Sequence, residues 1–369
     1  MNKKLVFLCG ARDFHAMDWY KSAKEILPNK EILIVTDLIA GEGYKKVITE
    51  EDKVYKLFIL DNFLFKRQSS IGNKWRNLLK LIILPIQILL LKRFAKINSN
   101  CVYHAHSMYY LVLARAAGVE YVGTPQGSDI LVKPLRSKFY KLFAKYGLNK
   151  AKSITVDSLN MQKGVRDLVE KDALVIQNGI DIRAIEEYLS SFRNLNNTQE
   201  RKGILSIRGF TSLYRIKYIL DSRNKLNVNE NITFLYPFQD ALYKSECIEL
   251  IKNDDLDLGR VDRNKMYQLM ASSKLVLSIP ISDSSPRSVY ESIFCGAAVA
   301  ITYNSYYDIL PECMKNRIII VDIKDDKWLE NATQQAEIIN KTEYIPSIEA
   351  LNMFDQRESS KKILKLLFD

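Results

Sequence analysis

Two acids, Asp283 and Glu291, bracket most of the segment Asp-Ser-Ser-Pro-Arg-Ser-Val-Tyr-Glu-Ser-Ile-Phe-Cys-Gly at residues 283–296. Carboxylates at that spacing can each accept hydrogen bonds from hydroxyl groups, one on either side of a third group. What lies between them suggests that third group. Ser285 stands where a helix N-cap belongs, Pro286 suits the first helical position, and Gly296 closes the pattern. A helix start offers backbone N–H groups and partial positive charge to an anion. The ligand these residue types suit is a phosphate carried between two polyol rings, as in a nucleotide sugar. A second cue lies upstream, in Gly203-Ile-Leu-Ser-Ile-Arg-Gly-Phe-Thr-Ser-Leu-Tyr214. There Arg208 leaves a strand pattern, and a guanidinium meets phosphate oxygens with two parallel hydrogen bonds.

The elements that must hold these groups are apolar runs alternating with helical patterns, the signature of βα units and parallel sheets. In the first half, strands are expected at 5–9, 32–36, 55–60, 101–104, 121–123, 154–157 and 174–177. Helices are expected at 19–27, 109–117, 137–148 and 158–169, among others. The second half starts afresh at 204–207, with further strands at 232–236, 275–279, 299–301 and 318–321 and a helical tail over 348–368. The polar, Asn-rich stretch 183–202 reads as a linker between a domain over 1–182 and another over 203–350. In open α/β sheets ligands bind outside the carboxyl ends of the strands, which is where the 283–291 pair falls.

A chain of 369 residues with 47% apolar content is long enough for two α/β cores. The five cysteines are odd in number and scattered, and with three histidines none makes a metal-ligand spacing. That argues for a reducing cytoplasm, without disulfides or structural zinc. The apolar run at the N-terminus is short and meets Arg12 and Asp13 at once, so it reads as a first buried strand rather than a signal peptide. Lys plus Arg number 54 against 43 Asp plus Glu, a net charge of +11. Residues 62–119 hold no acid but carry Lys66, Arg67, Lys74, Arg76, Lys80, Lys92, Arg93, Lys96 and Arg115 around an apolar run at 81–91. Those 11 residues are too few to span a bilayer, which takes about 20. A basic, apolar stretch can lie on an anionic membrane surface, or form a buried helix with solvated ends, broken or kinked at Pro85. Net charge alone would also permit nucleic-acid binding, but no helix-turn-helix, zinc or RNA-binding signature accompanies it.

Taken in order, these motifs resemble the retaining glycosyltransferases of GT-B fold, in the glycogen-synthase-like group (family 4 type). The family's paired acids are Glu, seven residues, Glu; here the first is Asp283. The resemblance implies that Asp283 contacts the donor sugar, Arg208 the diphosphate and Glu291 the ribose. It brings Ser285, Arg287, Ser288, Gly209 and Asp262 to the donor as well. The family's lysine five residues after the arginine is Leu213 here, which leaves Arg215 or Lys217 as the second cation. The segment Leu258-Gly259-Arg260-Val261-Asp262 resembles the loop that receives the base. In the first domain, Tyr103-His-Ala-His-Ser107 resembles the family's histidine-rich strand end. In Thr124-Pro-Gln-Gly-Ser-Asp129, Gln126 replaces a usual histidine and cannot take a proton near neutral pH. Val175-Ile-Gln-Asn-Gly-Ile-Asp181 matches a turn near the hinge.

The resemblance therefore implies an α/β protein with two Rossmann-like domains facing a central cleft and helix 355–369 packed back on the first. It implies a sugar transferase with Asp283, Arg208, Gln126 and His106 at the reacting centre, and Arg12, Asp13, His15 and His104 on the acceptor. The donor is expected to be a UDP- or GDP-sugar, with no metal or other cofactor; Asp255-Leu-Asp257 reads as an acidic loop and not a metal motif. The acceptor is expected to be a glycan or lipid-linked sugar of bacterial surface polysaccharide (capsule, O-antigen or lipopolysaccharide), reached from the cytoplasmic face of the inner membrane. A nucleotide-sugar epimerase, a degenerate transferase subunit and a basic nucleic-acid-binding protein are the alternatives.

Overall fold

In the computed structural model, residues 3–65, 70–195, 200–226 and 230–369 are described; Lys66 and Arg67 fall outside them. The chain forms two compact units, Met1–Asn178 with Gln356–Asp369, and Gly179–Asp355. The division falls at the Asn178-Gly179 turn, where Gly179 takes φ +72°.

The first unit is built on a seven-stranded parallel sheet: β1 (Lys4–Leu8), β2 (Ile32–Thr36), β3 (Lys53–Lys56), β4 (Cys101–His106), β5 (Tyr121–Thr124), β6 (Ser153–Val156) and β7 (Leu174–Val175). Their spatial order is β3-β2-β1-β4-β5-β6-β7. The central strands are apolar on both faces because helices cover both, as all-parallel sheets require. One layer of core joins β1 and β4 to the helices Ser70–Ile97, Met108–Ala117 and Lys138–Asn149. The opposite layer packs Phe7, Trp19 and Tyr20 against Ile363, Leu364 and Leu367 of the terminal helix Gln356–Phe368.

The second unit is a six-stranded parallel sheet: β8 (Ile204–Ser206), β9 (Ile232–Leu235), β10 (Leu256–Gly259), β11 (Leu275–Ser278), β12 (Val299–Ile301) and β13 (Ile318–Ile320), ordered β10-β9-β8-β11-β12-β13. The doubly wound α/β reading holds for both units. Several local readings change. The strand expected at 55–60 lies instead at Lys53–Lys56. The segment around Asp257 is not a loop but the edge strand β10, where Asp257 pairs with Lys244 at 2.6 Å. The stretch read as a linker contains the helix Ile182–Leu195, which buries Ile182 and Ile185 in the second unit's core. Pro85 breaks nothing: Ser70–Ile97 is one helix with the proline inside it.

Candidate active site

In each sheet the strand order reverses direction beside the first strand, between β1 and β4 and between β8 and β11. At such a switch point the loops leave in opposite directions and open a crevice at the carboxyl ends.

At the β8/β11 switch point Arg208 follows β8. Its Nε donates to Ser278 Oγ at 2.7 Å and its Nη2 to Asp283 Oδ2 at 2.7 Å. Both partners of this ion pair are mostly covered, with side chains 12% and 18% exposed. Asp283 is itself anchored: its backbone N–H donates to Asn304 Oδ1 at 3.1 Å, and its Oδ1 accepts from the Ser284 N–H at 2.9 Å. The guanidinium also lies 5.4 Å from the Tyr214 ring centre, a cation–π contact. Gly209 must be glycine, because a Cβ there would stand 2.8 Å from the Phe238 carbonyl oxygen. Arg215 adopts the left-handed conformation, φ +53°, and donates to the carbonyls of Ile279 and Pro280, both at 3.2 Å. It thus ties the loop after β8 to the loop after β11 rather than offering a second free cation. Lys217 turns to Glu246, 4.0 Å away on the protein surface.

The helix after β11 runs Arg287–Phe294, with Pro286 rather than Ser285 at its N-cap and no side chain capping it. Gly296 ends it with φ +76°. Arg287 and Ser288 occupy its first turn. Glu291 is buried in its middle, close enough to Tyr267 that burial, and then the Glu291 charge, raise the phenol well above its ordinary pKa. A carboxylate is costly to bury, so Glu291 is not the solvated residue that a bare helix pattern would predict. Asp262 caps the helix Arg263–Ser272, accepting from the Lys265 N–H at 2.9 Å.

At the β1/β4 switch point Asp13 caps the helix Phe14–Ile26 through the His15 N–H at 3.0 Å. Its other oxygen accepts from Gln126 Nε2 at 2.6 Å and lies 3.8 Å from His106 Nδ1. These three side chains, with Arg12, line a cavity of about 490 Å³ in the first unit. Burial lowers the His106 pKa, and the charges of Asp13 and Asp129 work against that. His104 does not reach the cavity. It is buried, with Nε2 on Thr124 Oγ1 at 2.8 Å and its ring edge-on to Phe7 and Trp19. Burial, and then the neighbouring His106, push its pKa down to about 3. His15 is exposed on the first helical turn and also lies off the cavity wall.

The cavity gathers residues that sequence reasoning did not assign to a site. Asp129, buried, accepts from the backbone N–H of Met108 at 3.0 Å and of Gln126 at 3.1 Å, and from Lys133 Nζ and Tyr140 Oη, both at 2.7 Å. Those bonds hold its pKa down against the burial that raises it. Lys80, read from sequence as a cation flanking an apolar run, is buried against Asp37 at 3.1 Å. Asp37 also accepts from the Tyr110 hydroxyl. The signal that could have found part of this wall is a second acid-free stretch: residues 130–156 carry seven cations and no Asp or Glu. Among the described residues no group of three or more His, Cys, Asp or Glu could hold a metal ion.

No family model and no curated protein matches the sequence. Solved structures do match along its whole length. Anabaena HepE in complex with UDP-glucose superposes with a TM-score of 0.69 at 15% identity, covering 99% of both chains. Sucrose-phosphate synthase from Thermosynechococcus elongatus gives 0.71 at 10% identity, covering 99% of this chain and 98% of that one. WaaG, a glycosyltransferase involved in lipopolysaccharide biosynthesis, gives 0.67 at 11% identity, covering 99% of both. The chain has the GT-B fold. Identities this low carry the fold and leave the chemistry to the site.

Proposed function

We propose that this protein is a retaining glycosyltransferase that moves a sugar from a nucleotide sugar to a glycan or lipid-linked acceptor of bacterial surface polysaccharide. The observation that carries the reading is the Arg208–Ser278–Asp283 cluster at the β8/β11 switch point, with the uncapped Arg287–Phe294 helix after it. Arg208 and the helix start meet the donor diphosphate, and Gly209 lets the backbone approach it. Glu291 holds the ribose, and Asp283 the donor sugar. Asp262 and the loop after β10 border the base. As the bond from the sugar's anomeric carbon to the diphosphate oxygen breaks, negative charge builds on the leaving group. A preorganised guanidinium and aligned amides stabilise that charge without reorganising. The acceptor oxygen bonds to the same face of that carbon, and its proton passes to the leaving diphosphate. In the first unit Asp13, fixed by Gln126 and flanked by His106, orients the acceptor hydroxyl. Protein cations and amides meet the phosphate charge, so no metal is required for this scheme.

The reading also places the protein on the cytoplasmic face of the inner membrane. The Ser70–Ile97 helix leaves Leu78, Ile82, Ile86 and Leu89 exposed along one face, and Arg93 and Lys96 continue that face. No helix among the described residues is long and apolar enough to cross a membrane. A surface-lying amphipathic contact fits this pattern, with each close cation contributing about 1 kcal/mol on an anionic leaflet.

Thermal-shift screening against UDP-, GDP-, ADP- and CMP-sugars tests the function. One nucleotide class should raise the melting temperature, and Glu291→Ala should lose that response while remaining folded. A response retained in full by Glu291→Ala would contradict the assignment.

A further inference from the structure

The cavity at the β1/β4 switch point holds more positive charge than the protein itself balances. Lys80 is neutralised by Asp37 and Lys133 by Asp129. Arg12, Arg76 and Arg136 also line the cavity, and among the described residues their side chains make no ion pair or hydrogen bond. Arg76 is half-buried, and Arg12 is close enough to it that burial and then that like charge lower the Arg76 pKa. Arg136 stands exposed on the same wall, and Asp13 is the remaining carboxylate there, so five cations face three acids. Guanidiniums in excess favour an anion, because each keeps a planar fork of donors suited to phosphate oxygens. The rest of the wall is different in kind. Phe139, Phe143, Leu81 and Val132 are apolar, and Phe139 is 65% exposed, so this wall continues onto the surface. Leu142, one turn along the same helix, is exposed as well.

We propose that this cavity binds a lipid phosphate, with the phosphate or diphosphate on Arg12, Arg76 and Arg136 and the hydrocarbon chain leaving over Phe139. This names the acceptor class and rests on the transferase reading above. An anion alone would leave the apolar wall wet, and a neutral lipid would leave the excess of guanidinium over carboxylate without counter-charge. An amphiphile with an anionic head satisfies both, and it would meet the exposed apolar residues of the same unit on its way to a membrane.

Isothermal titration of the full chain with farnesyl diphosphate, inorganic pyrophosphate and farnesol tests this. Farnesyl diphosphate is expected to bind at least about tenfold more tightly than either fragment, and Arg76→Gln and Arg136→Gln should each weaken it about tenfold. Both variants should bind the donor nucleotide sugar like the wild type. Pyrophosphate binding as tightly as farnesyl diphosphate would show an anion site without a lipid. Farnesol binding as tightly, or unchanged affinity in both variants, would equally overturn the proposal. If lipid phosphate binds but no nucleotide sugar does, the transferase reading fails and this site stands; the opposite pattern removes the site alone.

Discussion

The two switch points share a backbone plan and differ in how their charges are settled. After β8 and β11, Arg208 is already held by Ser278 and Asp283, and Arg215 is spent on main-chain carbonyls. After β1 and β4, Asp37 and Asp129 pair with two lysines, and Arg12, Arg76 and Arg136 outnumber the remaining acid, Asp13. The second unit therefore holds a preset cluster, in which the proposed donor would compete for, or share, an occupied guanidinium. The first unit holds a cavity with more positive than negative charge, where the proposed lipid phosphate would supply the balance.

That contrast can be broken by substitution, and the largest effect should come from the cluster. Arg208→Ala should lower transfer by about 100-fold or more, the scale of losing a preorganised charge stabiliser, measured as kcat/KM for the best donor. An effect below about threefold would show that Arg208 is only a structural ion-pair partner. The two acids should then separate. Asp37→Asn strips a fully buried carboxylate from Lys80 and should cost about 3 kcal/mol in urea unfolding. Asp283→Asn keeps its backbone contacts and is partly exposed, so it should cost about 1 kcal/mol or less while activity falls. Equal stability losses would erase the distinction between a charge that builds the fold and one that serves a ligand.

A smaller effect concerns acid. Folded His104 stays neutral down to about pH 3, whereas the unfolded chain binds that proton near the ordinary value of 6.5. Below pH 6.5 the unfolded state therefore holds more protons, and stability drains as pH falls toward 3. His104→Gln keeps a polar group for Thr124 and should flatten the slope of unfolding free energy against pH between 6 and 4, in parallel with wild-type measurements. An unchanged slope would mean that His104 does not titrate in this window.

The sequence made the fold legible wherever a strand is buried on both faces. Runs such as Leu275–Ser278 and Val299–Ile301 stand out because helices cover both sides of the sheet. It hid β10, whose residues Leu256 to Leu258 are exposed at a sheet edge and include an acid. It also hid the Ile182–Leu195 helix, because Ile182, Ile185, Tyr188 and Leu189 make a helical stripe thinly spread through polar residues. Of the candidate site, the Arg208–Asp283 pairing was within reach of the sequence, because both residues follow buried strand patterns that lie side by side in the sheet. Which cation is occupied was not, since Arg215 is committed by a left-handed backbone and Lys217 by a neighbour 29 positions away. The first unit's cavity was hidden for a related reason. Its wall is assembled from the loop after β1, the Ser70–Ile97 helix and residues 126–143, and only folding brings them together.

The central claim is that the β8/β11 switch point binds a nucleotide sugar through Arg208. Its most direct test is isothermal titration of wild type and Arg208→Ala with the nucleotide sugar that gives the largest thermal shift. The account predicts saturable one-to-one binding to the wild type, weakened by about tenfold or more in the variant. Identical affinities for the two proteins, or no binding by any of the four nucleotide-sugar classes, would contradict it.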